Sequence, residues 1–79
     1  MIDRYTFLEL LCDNVRRNRV LNRLTQRDLA SKLGVSQPAI SQMESGARKI
    51  GAYEIYQICE IFDVTPNDLL EYNTTDPRI

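Results

Sequence analysis

The chain has 79 residues, of which 43% are hydrophobic and 27% charged, and its formal net charge is −1. This length allows one small domain with a single core, and no apolar run approaches the ~18 residues needed to cross a bilayer. The chain has no histidine, no glycine-rich phosphate loop and no nucleophile beside a base, so we expect neither an enzyme nor a cofactor or metal. Asp3 and Arg4 close to the N-terminus are not typical of a signal peptide, and we expect a cytoplasmic protein.

Positive charge is concentrated in the middle of the chain. Residues 1–15 carry a net charge of −2, residues 16–49 carry eight cations against two acids, and residues 50–79 carry a net charge of −5. A basic segment between two acidic ones can meet phosphates while the acids lie away from them. The charge pattern therefore favours a nucleic-acid partner, although the total charge is close to zero.

The first predicted helix runs roughly from Thr6 to Val20 or Leu21. Apolar residues recur there at spacings of three and four, which is typical of one buried stripe: Leu8, Leu11, Cys12 and Val15. Cys59 lies on a similar stripe later in the chain. Two cysteines this far apart indicate buried free thiols rather than a disulfide framework or a zinc site.

The second predicted helix begins after Thr25, which is a favourable N-cap, and Asp28 three residues later completes a near capping box. Its inner face consists of Leu29, Ala30 and Leu33. Gly34 supplies the positive φ that ends such a helix.

The third predicted helix begins after the N-cap Ser36 and ends at Gly46, and its first turn tolerates a proline. At about 100° per residue, one side carries Ala39, Ile40 and Met43. The opposite side carries mostly polar residues, namely Gln37, Pro38, Ser41, Gln42 and Ser45. This polar side is the surface that we expect to bind the nucleic-acid partner.

Two further helices complete the predicted fold. Helix 4 spans 52–62 with the apolar stripe Ile55, Ile58, Cys59 and Phe62. Helix 5 follows the cap Thr65 and contains Pro66, Asp68, Leu69 and Leu70. We predict a compact all-α domain of five helices over residues 1–72 and a flexible C-terminal tail over residues 73–79.

Taken in order, these segments resemble the Cro/phage-repressor-like, or Xre, helix-turn-helix family. The resemblance covers about residues 11–71, and its most specific part is the run Leu24-Thr25-Gln26, Leu29-Ala30, Leu33-Gly34-Val35-Ser36, Ile40-Ser41 and Glu44-Ser45-Gly46. The chain departs from the family at Asn18, where a leucine is usual, at Asn22-Arg23, where a glycine often lies, and at Ile50, where proline is common. The connection between helices 1 and 2 is therefore expected to differ locally.

The resemblance implies that helix 3 lies in the major groove of double-stranded DNA. Gln37 and Gln42 are then the main base-contacting residues, since glutamine can bond to N6 and N7 of adenine. Ser41 and Pro38 are further candidates for base contacts. The implied phosphate contacts are Gln26, Arg27, Arg48 and Lys49, with Asn22 and Arg23 as additional candidates.

Two further sets of residues have an expected structural role. By resemblance, Arg19 and Glu44 form an ion pair that connects helix 1 to the end of helix 3. Apolar residues beside the main stripes of helices 4 and 5 are predicted to form a dimer interface: Tyr53, Tyr56, Ile61, Leu70 and Tyr72. The alternative for this second set is packing within the same subunit.

These features predict a sequence-specific transcriptional regulator, a repressor or a controller protein, which binds a palindromic operator as a homodimer. We predict no membrane partner and no small-molecule ligand. The alternative is a protein-interaction module such as an antitoxin, for which DNA binding is secondary.

Overall fold

The computed structural model describes residues 1–79 and contains five α-helices and no β-strand. The all-α prediction is confirmed. None of the helices is both long and apolar enough to span a membrane. In chain order the helices are α1 (Arg4–Leu21), α2 (Gln26–Leu33), α3 (Gln37–Ser45), α4 (Ala52–Phe62) and α5 (Pro66–Leu70).

The boundaries of α2 to α5 follow local sequence signals. The Thr25 hydroxyl accepts from the N–H of Asp28 at 3.0 Å, and the Asp28 carboxylate accepts from the N–H of Thr25 at 2.9 Å, which makes a capping box. Thr65 and Asp68 repeat this arrangement at α5. Gly34 ends α2 with a φ of +72°, a conformation that costs glycine little because it has no Cβ.

Helix α1 begins at Arg4, two residues before the predicted start at Thr6, so that prediction was wrong. Asp3 is the N-cap, and its carboxylate accepts from the N–H of Thr6 at 2.9 Å and from the Thr6 hydroxyl at 2.8 Å. The two additional residues follow from this cap, because it satisfies an amide that would otherwise lack a partner.

All five helices contribute to a single core. Its fully buried side chains are Val15, Leu29, Ile40, Met43, Ile58 and Leu69. Burying one aliphatic side chain of this size stabilises the fold by about 1.5–3 kcal/mol. Cys12 and Cys59 are buried and free, as predicted, and burial raises the pKa of both thiols above its ordinary value.

The predicted stripe of α1 needs one correction. Leu8 is 44% exposed, whereas Leu10 and Asn14 are buried. Helix α1 therefore has a second buried side, which Asn14 joins to α5 through a hydrogen bond from its Nδ2 to the carbonyl oxygen of Leu69. The spacing of apolar residues in α1 identifies one buried stripe and hence one packing partner. It therefore did not reveal this second buried side.

The turn between α1 and α2 contains an unusual backbone conformation. Arg23 has a φ of +58°, in the left-handed region that favours glycine. The Asn22 side chain donates to the carbonyl oxygen of Asn18 at 2.7 Å and helps to end α1. The expected local difference at Asn22-Arg23 is thus an arginine in a conformation that suits glycine.

The C-terminal segment lies beside α1. The Arg78 guanidinium contacts the carboxylates of Glu9 at 3.0 Å, Asp13 at 2.6 Å and Asp76 at 2.9 Å. Glu9 and Asp13 are exposed and Arg78 and Asp76 are partly exposed, and ion pairs so close to solvent are typically worth less than about 1 kcal/mol. The flexibility of residues 73–79 stays a prediction.

Candidate nucleic-acid interface

Helix α3 is divided into a buried and an exposed side. Ile40 and Met43 are completely buried, which fixes the inner side against the core. On the opposite side Pro38 and Gln42 are exposed, and Gln37 is partly exposed. Ser41 is also partly exposed and Ser45 is exposed. The residues predicted to contact bases therefore lie together on one accessible surface.

Gln37, at the start of α3, is held by a residue of α2. Its Nε2 donates to Oε1 of Gln26 at 2.7 Å. Both glutamines are first residues of their helices, so the bond joins the two helix N-termini. N-terminal amides of a helix favour a nearby anion, which makes this edge of the surface suitable for a phosphate.

Gln26 is held in turn by the Arg19–Glu44 ion pair. Its Nε2 donates to Oε1 of Glu44 at 3.1 Å. Glu44 accepts from Nε of Arg19 at 2.6 Å and from Nη2 at 3.1 Å, and its side chain is only 3% exposed. Nη1 of Arg19 also donates to the carbonyl oxygen of Leu24 at 2.9 Å. We call Arg19, Glu44, Gln26 and Gln37 the hydrogen-bond relay.

The residues expected to contact phosphates differ in their exposure and in the partners of their side chains. Arg27 and Lys49 are exposed and make no ion pair, and Arg23 is exposed in the α1–α2 turn. Asn22 is exposed, with its side-chain nitrogen bonded to Asn18. Arg48, in contrast, is partly buried and paired with an acid.

That acid is Glu54, which sequence reasoning missed. Its Oε2 lies 3.0 Å from Nη2 of Arg48, and its Oε1 accepts from the N–H of Gly51 at 3.0 Å. One carboxylate thus caps α4 and also holds the loop between α3 and α4. A glutamate three residues after a possible N-cap was the available signal. Nη1 of Arg48 is buried and has no partner.

The residues predicted to form a dimer interface fall into two groups. Tyr53 and Tyr56 are 71% and 56% exposed, and their rings stack with centroids 6.1 Å apart. Tyr72 is 37% exposed. Ile61 and Leu70 are half-buried and pack against the core of the same subunit, so packing within the subunit accounts for part of their apolar surface.

Comparisons with known proteins agree with this geometry. The family model described as "Helix-turn-helix" (HTH_3) matches residues 15–69, which include α2, α3 and α4 entirely. The chain is 32% identical over 62 residues to the uncharacterized HTH-type transcriptional regulator YqaE of Bacillus subtilis (strain 168). That match covers 78% of this chain and 53% of the relative, so the chain spans about half the length of that relative.

A solved structure shares the fold. The structure of the clp gene regulator ClgR from C. glutamicum superposes with a TM-score of 0.75 at 25% sequence identity, and the match covers 81% of this chain and 83% of that one. The matched family model includes both helices of the motif and the turn at Gly34 between them. The chain therefore belongs to the Xre-type helix-turn-helix family.

Proposed function

We propose that this protein is a sequence-specific DNA-binding transcriptional regulator that places α3 in the major groove. The main support is the exposed polar side of α3, which carries Gln37 and Gln42 above a fully buried inner side. Glutamine offers both a hydrogen-bond donor and an acceptor, the combination that adenine presents in this groove. Ser41 and Pro38 lie on the same side and would contact neighbouring base edges or a thymine methyl group.

Backbone contacts would orient α3 in the groove. Arg27, Lys49 and Arg23 are exposed cations, and Gln26 and Asn22 lie at or near the N-terminal end of α2. Arg48 would join them once its guanidinium is released from Glu54. Such contacts supply affinity that depends on salt, whereas base contacts supply sequence preference.

A single domain of this size reaches few base pairs, and we propose that two copies bind a palindromic site. Half-sites about 34 Å apart, one turn of DNA, are usual for dimers of this motif. We place the dimer contact at the surface of α4 that carries the exposed Tyr53 and Tyr56. Its remaining members would be Ile61, Leu70 and Tyr72. We propose repression, by occupation of a promoter, as the outcome of binding.

Selection from random double-stranded DNA tests the proposal, followed by titration of the enriched site at two salt concentrations. We expect a palindromic sequence with a preferred adenine in each half. Gln42→Met should cost on the order of 1–3 kcal/mol at one base position and little elsewhere. Lys49→Gln, the matched control for a backbone contact, should weaken binding to all sequences alike. Enrichment of no sequence above the starting pool would contradict the proposal.

A further inference from the structure

A surface cavity lies between the N-terminal half of α1 and the loop that joins α3 to α4. Its volume is about 430 Å³, which falls within the roughly 300–1,000 Å³ of typical small-molecule sites. All of its lining residues come from the segments 4–12 and 46–50. These segments are far apart in the chain and meet only in the fold, so the sequence alone predicts no small-molecule ligand.

One part of this lining is apolar and contains no aromatic ring. It consists of Leu8, Leu11, Cys12 and Ile50, which we call the apolar lining. Leu11 and Cys12 are buried and Ile50 is partly buried, whereas Leu8 is 44% exposed. A ligand can remove this exposed apolar area from water, which favours binding. An alkyl chain would contact these side chains along its length, whereas a flat aromatic ligand would find no ring on which to stack.

The other part of the lining is positively charged, and no acid lines the cavity. It consists of Arg4, Arg48 and Lys49, which we call the cationic lining. Arg4 and Lys49 are exposed and make no ion pair. Arg48 uses Nη2 on Glu54, and its Nη1 is buried without an acceptor. Buried donors are nearly always paired in folded proteins, so Arg48 retains an unused donor beside a cavity.

We infer that this cavity binds a fatty-acid carboxylate, with the alkyl chain on the apolar lining and the carboxylate on the cationic lining. Guanidinium and ammonium groups form strong charge-assisted hydrogen bonds with a carboxylate. Each methylene that enters the cavity adds a further contribution from apolar burial. An uncharged alkyl chain or a short carboxylate would use only one part of the lining and would bind more weakly.

The cationic lining overlaps with the proposed DNA-binding surface, since Arg48 and Lys49 are two of the proposed phosphate contacts. A bound carboxylate and a DNA phosphate would therefore compete for the same two side chains. Because phosphate contacts carry no base preference, the ligand would weaken binding to all sequences alike, and DNA would weaken ligand binding by the same factor. The role of the ligand as an effector that releases DNA rests on the proposed function, whereas its binding to the free protein does not.

Titration of the ¹⁵N-labelled protein with octanoate tests the site without DNA. We expect saturable shifts of the backbone amide signals of residues 4–12 and 46–50. Hexanoate should bind more weakly, by up to about fourfold for each methylene removed. Acetate lacks the chain and octanol lacks the charge, and each should bind roughly tenfold or more weakly than octanoate.

Two variants each weaken one part of the lining. Leu8→Gln and Lys49→Gln should both lower the affinity for octanoate, by roughly threefold to tenfold. Leu21→Gln on α1 and Lys32→Gln on α2 are the matched controls, because both residues are exposed and neither lines the cavity. The controls should bind octanoate like the parent. Thermal unfolding of each variant shows that the fold persists.

A second titration tests the effector role, with operator DNA selected by the unmodified protein. Saturating octanoate should weaken DNA binding and lower the slope of log affinity against log salt by about one to two units. Acetate at the same concentration controls for ionic strength. The effect of octanoate should be smaller in Lys49→Gln, because one of the shared cations is already absent.

Each result supports or contradicts a defined part of the inference. Signals that do not shift with octanoate, or that shift mainly outside residues 4–12 and 46–50, would overturn the site. Equal binding of octanoate and acetate, or of octanoate and octanol, would overturn it too. Saturable binding that leaves DNA affinity unchanged would overturn the effector role. If the protein binds no DNA, the proposed function fails, and the titration of the free protein still decides whether the site exists.

Discussion

The side-chain nitrogen of Asn14 lies 2.8 Å from the carbonyl oxygen of Leu69 and donates a hydrogen bond to it. The same nitrogen donates to the carbonyl oxygen of Glu71 at 2.7 Å, and Oδ1 of Asn14 accepts from Arg17 at 2.9 Å. Helix α5 has only five residues, so its last carbonyls lack partners within the helix. Asn14 supplies those partners and attaches α5 to α1.

Asn14→Asp should lower the free energy of unfolding by about 1–3 kcal/mol, because it removes the donor and leaves two carbonyl oxygens facing a carboxylate. Urea denaturation at pH 7 measures this loss. Asn67→Asp makes the same chemical change at an exposed position of α5 and should stay within about 0.5 kcal/mol of the parent. Similar losses for both variants would contradict the role assigned to Asn14.

Arg23→Gly should raise the free energy of unfolding by about 0.5–1 kcal/mol, because glycine adopts the observed φ of +58° without the steric cost of a Cβ. The same substitution should reduce the slope of log affinity for DNA against log salt by about one unit if Arg23 contacts a phosphate. Arg23→Lys, which retains both the charge and the Cβ, separates the two effects. It should change neither quantity appreciably.

Glu54→Gln should strengthen DNA binding at low salt and steepen its salt dependence by about one unit, because it releases Arg48 to reach a phosphate. The amide oxygen can still accept from the N–H of Gly51, so the start of α4 is retained. Glu60→Gln, an exposed substitution on the same helix, controls for the change in net charge. An unchanged slope for Glu54→Gln would remove Arg48 from the phosphate contacts.

Acidification should destabilise the protein below about pH 4. Backbone and hydroxyl hydrogen bonds from Thr25 lower the pKa of the Asp28 carboxyl below its usual 3.8, and Thr65 does the same for Asp68. The folded protein therefore binds fewer protons than the unfolded chain in this range. The stability that these carboxylates contribute is present above pH 4 and is lost as the pH falls through the lowered pKa values.

The measurement for this pH effect is the urea midpoint from pH 7 to pH 2. The parent should show a level midpoint near neutrality and a decline below about pH 4, whereas Asp28→Asn should start lower and decline less steeply. Curves that run parallel down to the acid end would show that the cap of α2 does not contribute to the pH dependence.

Tyr53→Glu combined with Tyr56→Glu should yield a monomer that keeps the fold, because both rings are exposed and the substitutions add like charges to the proposed contact surface. Sedimentation equilibrium at micromolar concentration measures the mass, and circular dichroism checks the helices. Val20→Glu with Leu21→Glu, an exposed apolar pair on α1, is the control and should leave the mass unchanged. A monomeric parent, with and without DNA, would contradict the dimer.

Local signals were sufficient to predict most of the fold. Thr25, Ser36 and Thr65 each cap the helix that follows, and their bonds join residues three positions apart in the chain. Gly34 and Gly46 end helices with positive φ for the same local reason. Such contacts can be inferred because the residues that make them are neighbours in the sequence.

Of the contacts between distant residues, the Arg19–Glu44 pair was expected from the family resemblance, and most of the others escaped this reasoning. The bond from Asn14 to Leu69 spans 55 positions, the bond from Gln26 to Glu44 spans 18, and the bond from Gln37 to Gln26 spans 11. Composition and periodicity place each residue on a face but do not select its partner. The sequence thus identified Gln37 as a candidate for base contact, while the residues that orient it could be identified only from the structure.

The two buried thiols allow local opening of the fold to be measured. Cys12 belongs to α1 and Cys59 to α4, and both are at least 93% shielded from solvent. An alkylating reagent can reach either sulfur only while the surrounding helices separate, so the speed of modification reports how often each part of the domain opens. The unmutated protein thereby reports on opening at two positions, one on α1 and one on α4.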